Sequence, residues 1–177
     1  MDLKFRWHTN THAALRVAHD AIRAELVRAT LEPGPIGEAA KRVAELCLPH
    51  FEMEEQTIFP VFGLLEDLAL HAVRPEMAKI LPLISALSAR REAMVQHHRL
   101  IMDAAAQLLR AARREKNGEF AEFAYNLTIH EKIDHEVIYP TLILIGKYIR
   151  QSLGILPASR HGSVARTILS PQSDSLH

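Results

Sequence analysis

Two stretches carry the side chains best suited to chemistry: His50 to Pro60, reading HFEMEEQTIFP, and His130 to Pro140, reading HEKIDHEVIYP. Each runs His, three residues, carboxylate, three residues, Ile, aromatic, Pro, with Glu54 answered by Asp134. On an α-helix the i and i+4 side chains stand one turn apart on one face, so each stretch offers an imidazole and a carboxylate to one point. An apolar interior does not accept an acid and an imidazole unless something satisfies both. A metal ion does so, and two copies imply two ions or one shared pair.

The repeat reaches beyond these stretches. His19 opens HDAI and His98 opens HRLI, with Ile22 and Ile101 in the same place after each. The offsets, 98 − 19 = 79 and 130 − 50 = 80, are nearly equal. The chain therefore reads as two tandem helical hairpins, the first helix of each giving one His and the second a His and a carboxylate. Packed about an approximate two-fold axis, they bring four imidazoles and two carboxylates into one core, as di-metal carboxylate proteins do from facing helices. Taken singly, a His on an apolar stripe is usually a hydrogen-bonded core side chain, and an isolated HxxxE a solvated pair. Solvated faces do not explain six such residues in one register.

Four helical segments must position them. The first spans about Asn10 to Leu31, with Leu15, Ile22 and Leu26 in the stripe of His19 and Asn10 or Thr11 as its cap. EPGPIG then makes a turn, and a second helix runs from about Gly37 through Val43, Leu46 and Cys47 into the His50 motif. Pro49 predicts a bend or an interruption in it, and Pro60 an end or a kink. VFGLLEDLALHAVRP reads as a short helix or an irregular crossover. The third helix builds from about Pro75 or Pro82 to Lys116, through Val95, Ile101, Ala105 and Leu108, with Asn117–Gly118 as its stop signal. The fourth runs from about Glu119 through the His130 motif to about Leu153, and Pro140 predicts a kink because the apolar pattern resumes beyond it. No segment alternates with period two. The expectation is an all-α protein, most simply an up-down four-helix bundle over residues 1–155, followed by a polar, Ser-rich tail over 156–177.

Composition narrows the rest. At 177 residues the chain is long enough for one full core, and 21 basic against 21 acidic residues imply no nucleic-acid partner. No stretch has the apolar run of a secretory signal or the length of a membrane span, so the cytoplasm is the expected location. A single cysteine, Cys47, gives no disulfide framework and reads as a packing residue. The eleven histidines outnumber both glycine and proline. Of these, His8, His71, His161 and His177 read as surface residues.

These residues resemble the hemerythrin-like, or HHE cation-binding, domains, which are non-haem di-iron four-helix bundles; HxxxEExxIFP is the most specific part of the likeness, which covers about His12 to Ile149. The resemblance implies His19, His50, His98 and His130 as terminal iron ligands, with Glu54 and Asp134 bridging two irons. Three further histidines, His135, His97 and His12, are additional candidate ligands. His135 holds the place, five residues after the fourth-helix His, where oxygen carriers keep a carboxylate; i+4 favours Asp134 because i+5 rotates by about 140°. His97 adjoins His98 but points about 100° away, and His12, seven residues before His19, lies on nearly the same stripe. Positions 94 and 102 are both Met, so the third helix lacks the second His, four residues away, that oxygen carriers place there.

Imidazole and carboxylate ligands without sulfur suit iron, manganese or zinc, and neither an ExxH pair nor HExxH is present for a rival site. Six ligands over two metals leave open positions for dioxygen, nitric oxide or peroxide. The reading is thus a di-iron protein that binds or senses a gas or redox signal. Its alternatives are a di-iron enzyme acting on peroxide or nitric oxide, and a bundle stapled by a redox-inert ion such as zinc. The apolar LILIGKYI of helix four would allow a homodimer.

Overall fold

The computed structural model describes residues 10–155, with side chains from residue 13 onward. His12 as a ligand, the Asn10 or Thr11 cap, the tail, and His8, His161 and His177 fall outside the described side chains. Among the described residues the chain is all-helical, with no strand. No helix there is long and apolar enough to cross a membrane.

Helices α1 (Asn10–Thr30), α2 (Pro35–Thr57), α6 (Arg91–Arg114) and α7 (Gly118–Ile133) are the long ones. Helix α1 packs on α2, α2 on α6, α6 on α7 and α7 back on α1, closing a ring. Between α2 and α6 the chain crosses over through α3 (Phe59–Phe62), α4 (Leu65–Leu70), a 3-10 segment (Pro75–Ile80) and α5 (Leu81–Ala89). Beyond α7, a π-helical turn (Asp134–Ile138) leads directly into α8 (Tyr139–Ser152).

The prolines behave differently from one another. Helix α2 runs uninterrupted through Pro49 and ends before Pro60, where α3 begins a new turn. At Pro140 the chain stays helical: the π turn comes just before it, where the missing Pro N–H and its ring would disturb an α-helical ladder. The expected third helix is divided at Arg90 into α5 and α6. Ser85 and Ser88 donate their hydroxyls back to the carbonyls of Leu81 and Ile84. Such back-bonding competes with the ladder and favours an end there. Asn117 is the N-cap of α7, accepting from the Phe120 N–H at 3.2 Å, and the left-handed residue of that turn is Lys116 at φ 55°. The Asn-Gly pair therefore starts one helix more than it stops another.

Two apolar clusters divide the core. One contains Leu26, Phe51, Ile101 and Leu127; the other contains Ile58, Ile84, Tyr139 and Leu142, with Leu15 and Met94 packed against it. Along each long segment the side chains at the boundary are polar: His19 lies between Leu15 and Ile22, Glu54 between Phe51 and Ile58, and His98 between Met94 and Ile101. In the last segment His130, Glu131 and Asp134 lie between Leu127 and Ile138. The motif residues thus form one polar layer across the interior, between two dry halves.

Candidate metal centre

The polar layer draws on all four long segments. His19, His50, Glu54 and His98 are each 1% exposed, Glu131 is 0% and Asp134 6%, so water does not solvate this set. Two imidazole pairs form, each with one ring from either hairpin. His19 and His130 have ring centroids 5.2 Å apart, and His50 and His98 have theirs 4.8 Å apart. Exchanging the hairpins maps one pair onto the other, as the repeat predicts.

Glu54 lies between the pairs. Its Oε2 is 3.4 Å from His19 Nε2, while its Oε1 is 3.2 Å from His50 Nε2 and 4.0 Å from His98 Nε2. Asp134 Oδ2 stands 3.2 Å from His130 Nε2, one helical turn away. At such distances hydrogen bonds would be expected, yet both ring nitrogens of His50 and His98, Glu54 Oε1, His130 Nε2 and Asp134 Oδ2 have no hydrogen-bond partner. The atoms are close without being aimed at one another. Buried polar groups are otherwise almost always paired, so a cluster of orphans implies a common third partner.

Three groups have donor atoms close enough to hold a metal ion: His19, Glu54 and His130; His50, His98 and Glu131; and His130, Glu131 and Asp134. All six principal residues expected from the sequence are therefore brought together. His135 and His97 join none of the groups. The His135 ring is 6.1 Å from that of His98, and the His97 ring 5.1 Å from that of His50, so both border the centre.

Glu131 is the member the sequence reading missed. It follows His130 directly, its carboxylate has no hydrogen-bond partner, and its Oε2 lies 3.9 Å from His50 Nε2. The signal was in the repeat. Glu131 occupies the place of Phe51, which stacks on His19 with centroids 4.1 Å apart. A charged residue replacing an inward-facing aromatic is a core position given to chemistry.

Outside the layer, Glu55 accepts a hydrogen bond from His19 Nδ1 at 3.0 Å and pairs with Arg23 at 2.8 Å and Arg16 at 3.0 Å. Burial works against its charge, but Arg23 and His19 outweigh it, so Glu55 is an acceptor-only carboxylate. That holds a proton on His19 Nδ1, the ring nitrogen away from Glu54, and fixes the orientation of the ring.

The inner charges have no such cations. Burial opposes ionisation of Glu54, yet His19 and His50 hold its carboxyl down at about 2. Burial, and then the charge of Glu54, push Asp134 up to about 8. Glu131 goes well above the usual carboxyl range through burial, then Glu54 and Asp134. His98 and His130 are pushed down to about 4, by burial first and then by His50 and His19 respectively. Neutral imidazoles are the metal-binding form, and a divalent cation would let the crowded carboxyls ionise. The donor set thus fits a metal ion.

Cys47 is buried and free, and burial, then Glu131 and Glu54, push its thiol far up. It packs in the apolar core rather than joining the donors. His71 is exposed and stands 3.7 Å from Asp67, away from the centre. Comparison with family models, curated proteins and solved structures finds no match to this chain.

Proposed function

We propose that this chain is a hemerythrin-like, non-haem di-iron protein that binds or senses a small gas or redox signal. Glu54, suspended between two symmetry-related histidine pairs, carries the reading, because one carboxylate with an oxygen toward each pair suits a bridge. His19 and His130, with Glu54, would serve one ion, and His50 and His98, with Glu131, the other, while Asp134 stands beside His130. Iron there would supply redox chemistry and open coordination positions; the same nitrogen and oxygen donors also suit manganese or zinc.

The chain's own residues set the conditions. The two apolar clusters shield most of the layer from bulk water, and Glu55 with Arg16 and Arg23 holds the His19 ring in one orientation. A cavity of about 430 Å³ has the buried His98 among its lining residues, so the second pair lies directly beneath it. That opening favours dioxygen, nitric oxide or peroxide as ligands over a sealed structural ion. The same opening keeps a second reading in play, a di-iron enzyme acting on peroxide or nitric oxide.

Absorption spectra of iron-loaded, reduced protein test the proposal. A visible band that develops on admitting air or nitric oxide, and is abolished by His98→Leu, is the expected result. Continuous consumption of peroxide or nitric oxide with a reductant would move the assignment to the enzyme. A silent spectrum, with zinc retained through purification, would overturn gas binding and leave a metal that only staples the helices.

A further inference from the structure

The cavity beside His98 has a construction that a diatomic gas does not need. Its volume of about 430 Å³ lies within the range of small-molecule sites and far exceeds that of a gas molecule. It runs between α6 and the segment from the π turn into α8. Buried His98 and Tyr139 form its floor, while exposed Arg91 and Lys147 stand at its mouth. Arg91 precedes His98 by seven residues and Lys147 follows Tyr139 by eight. At a helical rise of 1.5 Å per residue the slot is about 10–12 Å deep. Met94, Val95, Ile143 and Leu144 give it apolar walls.

Each end carries groups free to meet a ligand. Arg91 and Lys147 are exposed and make no ion pair or side-chain hydrogen bond among the described residues. At the floor, Tyr139 is only 5% exposed and its hydroxyl has no hydrogen-bond partner. The His98 ring, 6.2 Å from the Tyr139 ring, also lacks a partner at Nδ1. Burial, and then the charge of Glu54, push the Tyr139 phenol up to about 12, so near neutrality it is a hydrogen-bond donor. A buried phenol without a partner, on a residue that lines a cavity, is costly unless a ligand supplies one.

We propose that this slot is a binding site for a small organic carboxylate. Its acid group meets Arg91 and Lys147, its apolar body lies along Met94 and Ile143, and a hydroxyl or carbonyl at its far end pairs with Tyr139. The two polar ends are about 10 Å apart, which selects a rod-shaped hydroxy or oxo acid over a compact inorganic anion.

The probe is 3-(4-hydroxyphenyl)propanoate, titrated by calorimetry into the full-length chain, both chelated and zinc-loaded. Two comparison compounds are the corresponding amide, which lacks the charge, and 3-phenylpropanoate, which lacks the hydroxyl. The expected result is saturable binding at one site per chain, weakened about tenfold or more for the amide. The exposed double variant R91Q/K147Q should weaken the acid about tenfold and leave the amide unaffected. Tyr139→Phe, checked for native helicity by circular dichroism, should bind the two acids equally. No binding of the acid, or binding indifferent to R91Q/K147Q, would overturn the proposal. Preference for sulfate or phosphate over the organic acid would overturn it as well, by reducing the site to a surface anion contact.

Discussion

Replacing Glu131 with Met should change the sign of its effect when metal is added. The Glu131 side chain is fully buried, and neither carboxyl oxygen has a hydrogen-bond partner. Its carboxyl is raised well above the usual range by burial, then by Glu54 and Asp134, so without a cation it is largely protonated and unsatisfied. An unsatisfied buried polar group costs about 1–3 kcal/mol, and Met offers similar length with no such group. The metal-free variant should therefore be more stable than the parent by about 1–3 kcal/mol. For a domain of this size that is a Tm increase of about 2–12 °C. With metal, the substitution removes a donor, and a hundredfold weaker Kd at saturating metal costs about 2.7 kcal/mol, which set against the metal-free gain leaves the variant up to about 1.7 kcal/mol less stable than the parent. Thermal melts of both proteins, in chelator and in excess Fe(II) under nitrogen, read both arms. Equal destabilisation in the two conditions would refute the reasoning, since Glu131 would then be ordinary packing.

Other perturbations give equally definite outcomes. In chelated protein Asp134 titrates near 8, against about 3.9 when unfolded, so stability from this group falls as pH rises between those values. His98 and His130, at about 4 folded and about 6.5 unfolded, act in the opposite direction below pH 6.5. Only the contributions of the raised acids, Asp134 and Glu131, remain above that point: Tm should fall from about pH 6.5 to 8, and Asp134→Asn should make the fall shallower; a rising profile would contradict this. Glu55→Gln removes the carboxylate that orients His19 and should weaken metal binding by about 10–100-fold without changing the number of ions bound, as measured by competition with a chelating dye. In Gly146→Ala the new Cβ would meet Ile84 Cγ2 at 2.7 Å, so denaturant titration should show a loss of about 1–3 kcal/mol, and much less when the same change is made in an Ile84→Ala background, which lacks Cγ2.

Helical spacing and the repeat made most of the architecture legible, because both are properties of single segments. The positions of His19, His50, His98 and His130, and of the carboxylates four residues after two of them, follow from one register repeated twice. Glu131 escaped because the i and i+4 pattern picks out Asp134 as the partner of His130, and a direct neighbour on the helix points about 100° away from it. The side chain instead serves the other pair, beside His50 on a different helix, and only the packing of α2 against α7 reveals that. The division at Arg90 escaped for a related reason. Periodicity continues across it, and the break arises where α5 packs with α8 and the second apolar cluster, while α6 packs in the ring. The π turn before Pro140 was read as a kink, since sequence marks where a ladder must break but not how the backbone absorbs the break.

The most direct test of a Glu54-centred pair of sites is the number of metal ions bound per chain. Chelated protein is reconstituted with Fe(II) under nitrogen, freed of excess metal and measured by elemental analysis against amino-acid content. The account predicts two ions per chain, with fewer than two retained by Glu54→Ala. One ion or none in the parent protein, or two ions held regardless of Glu54, would contradict it.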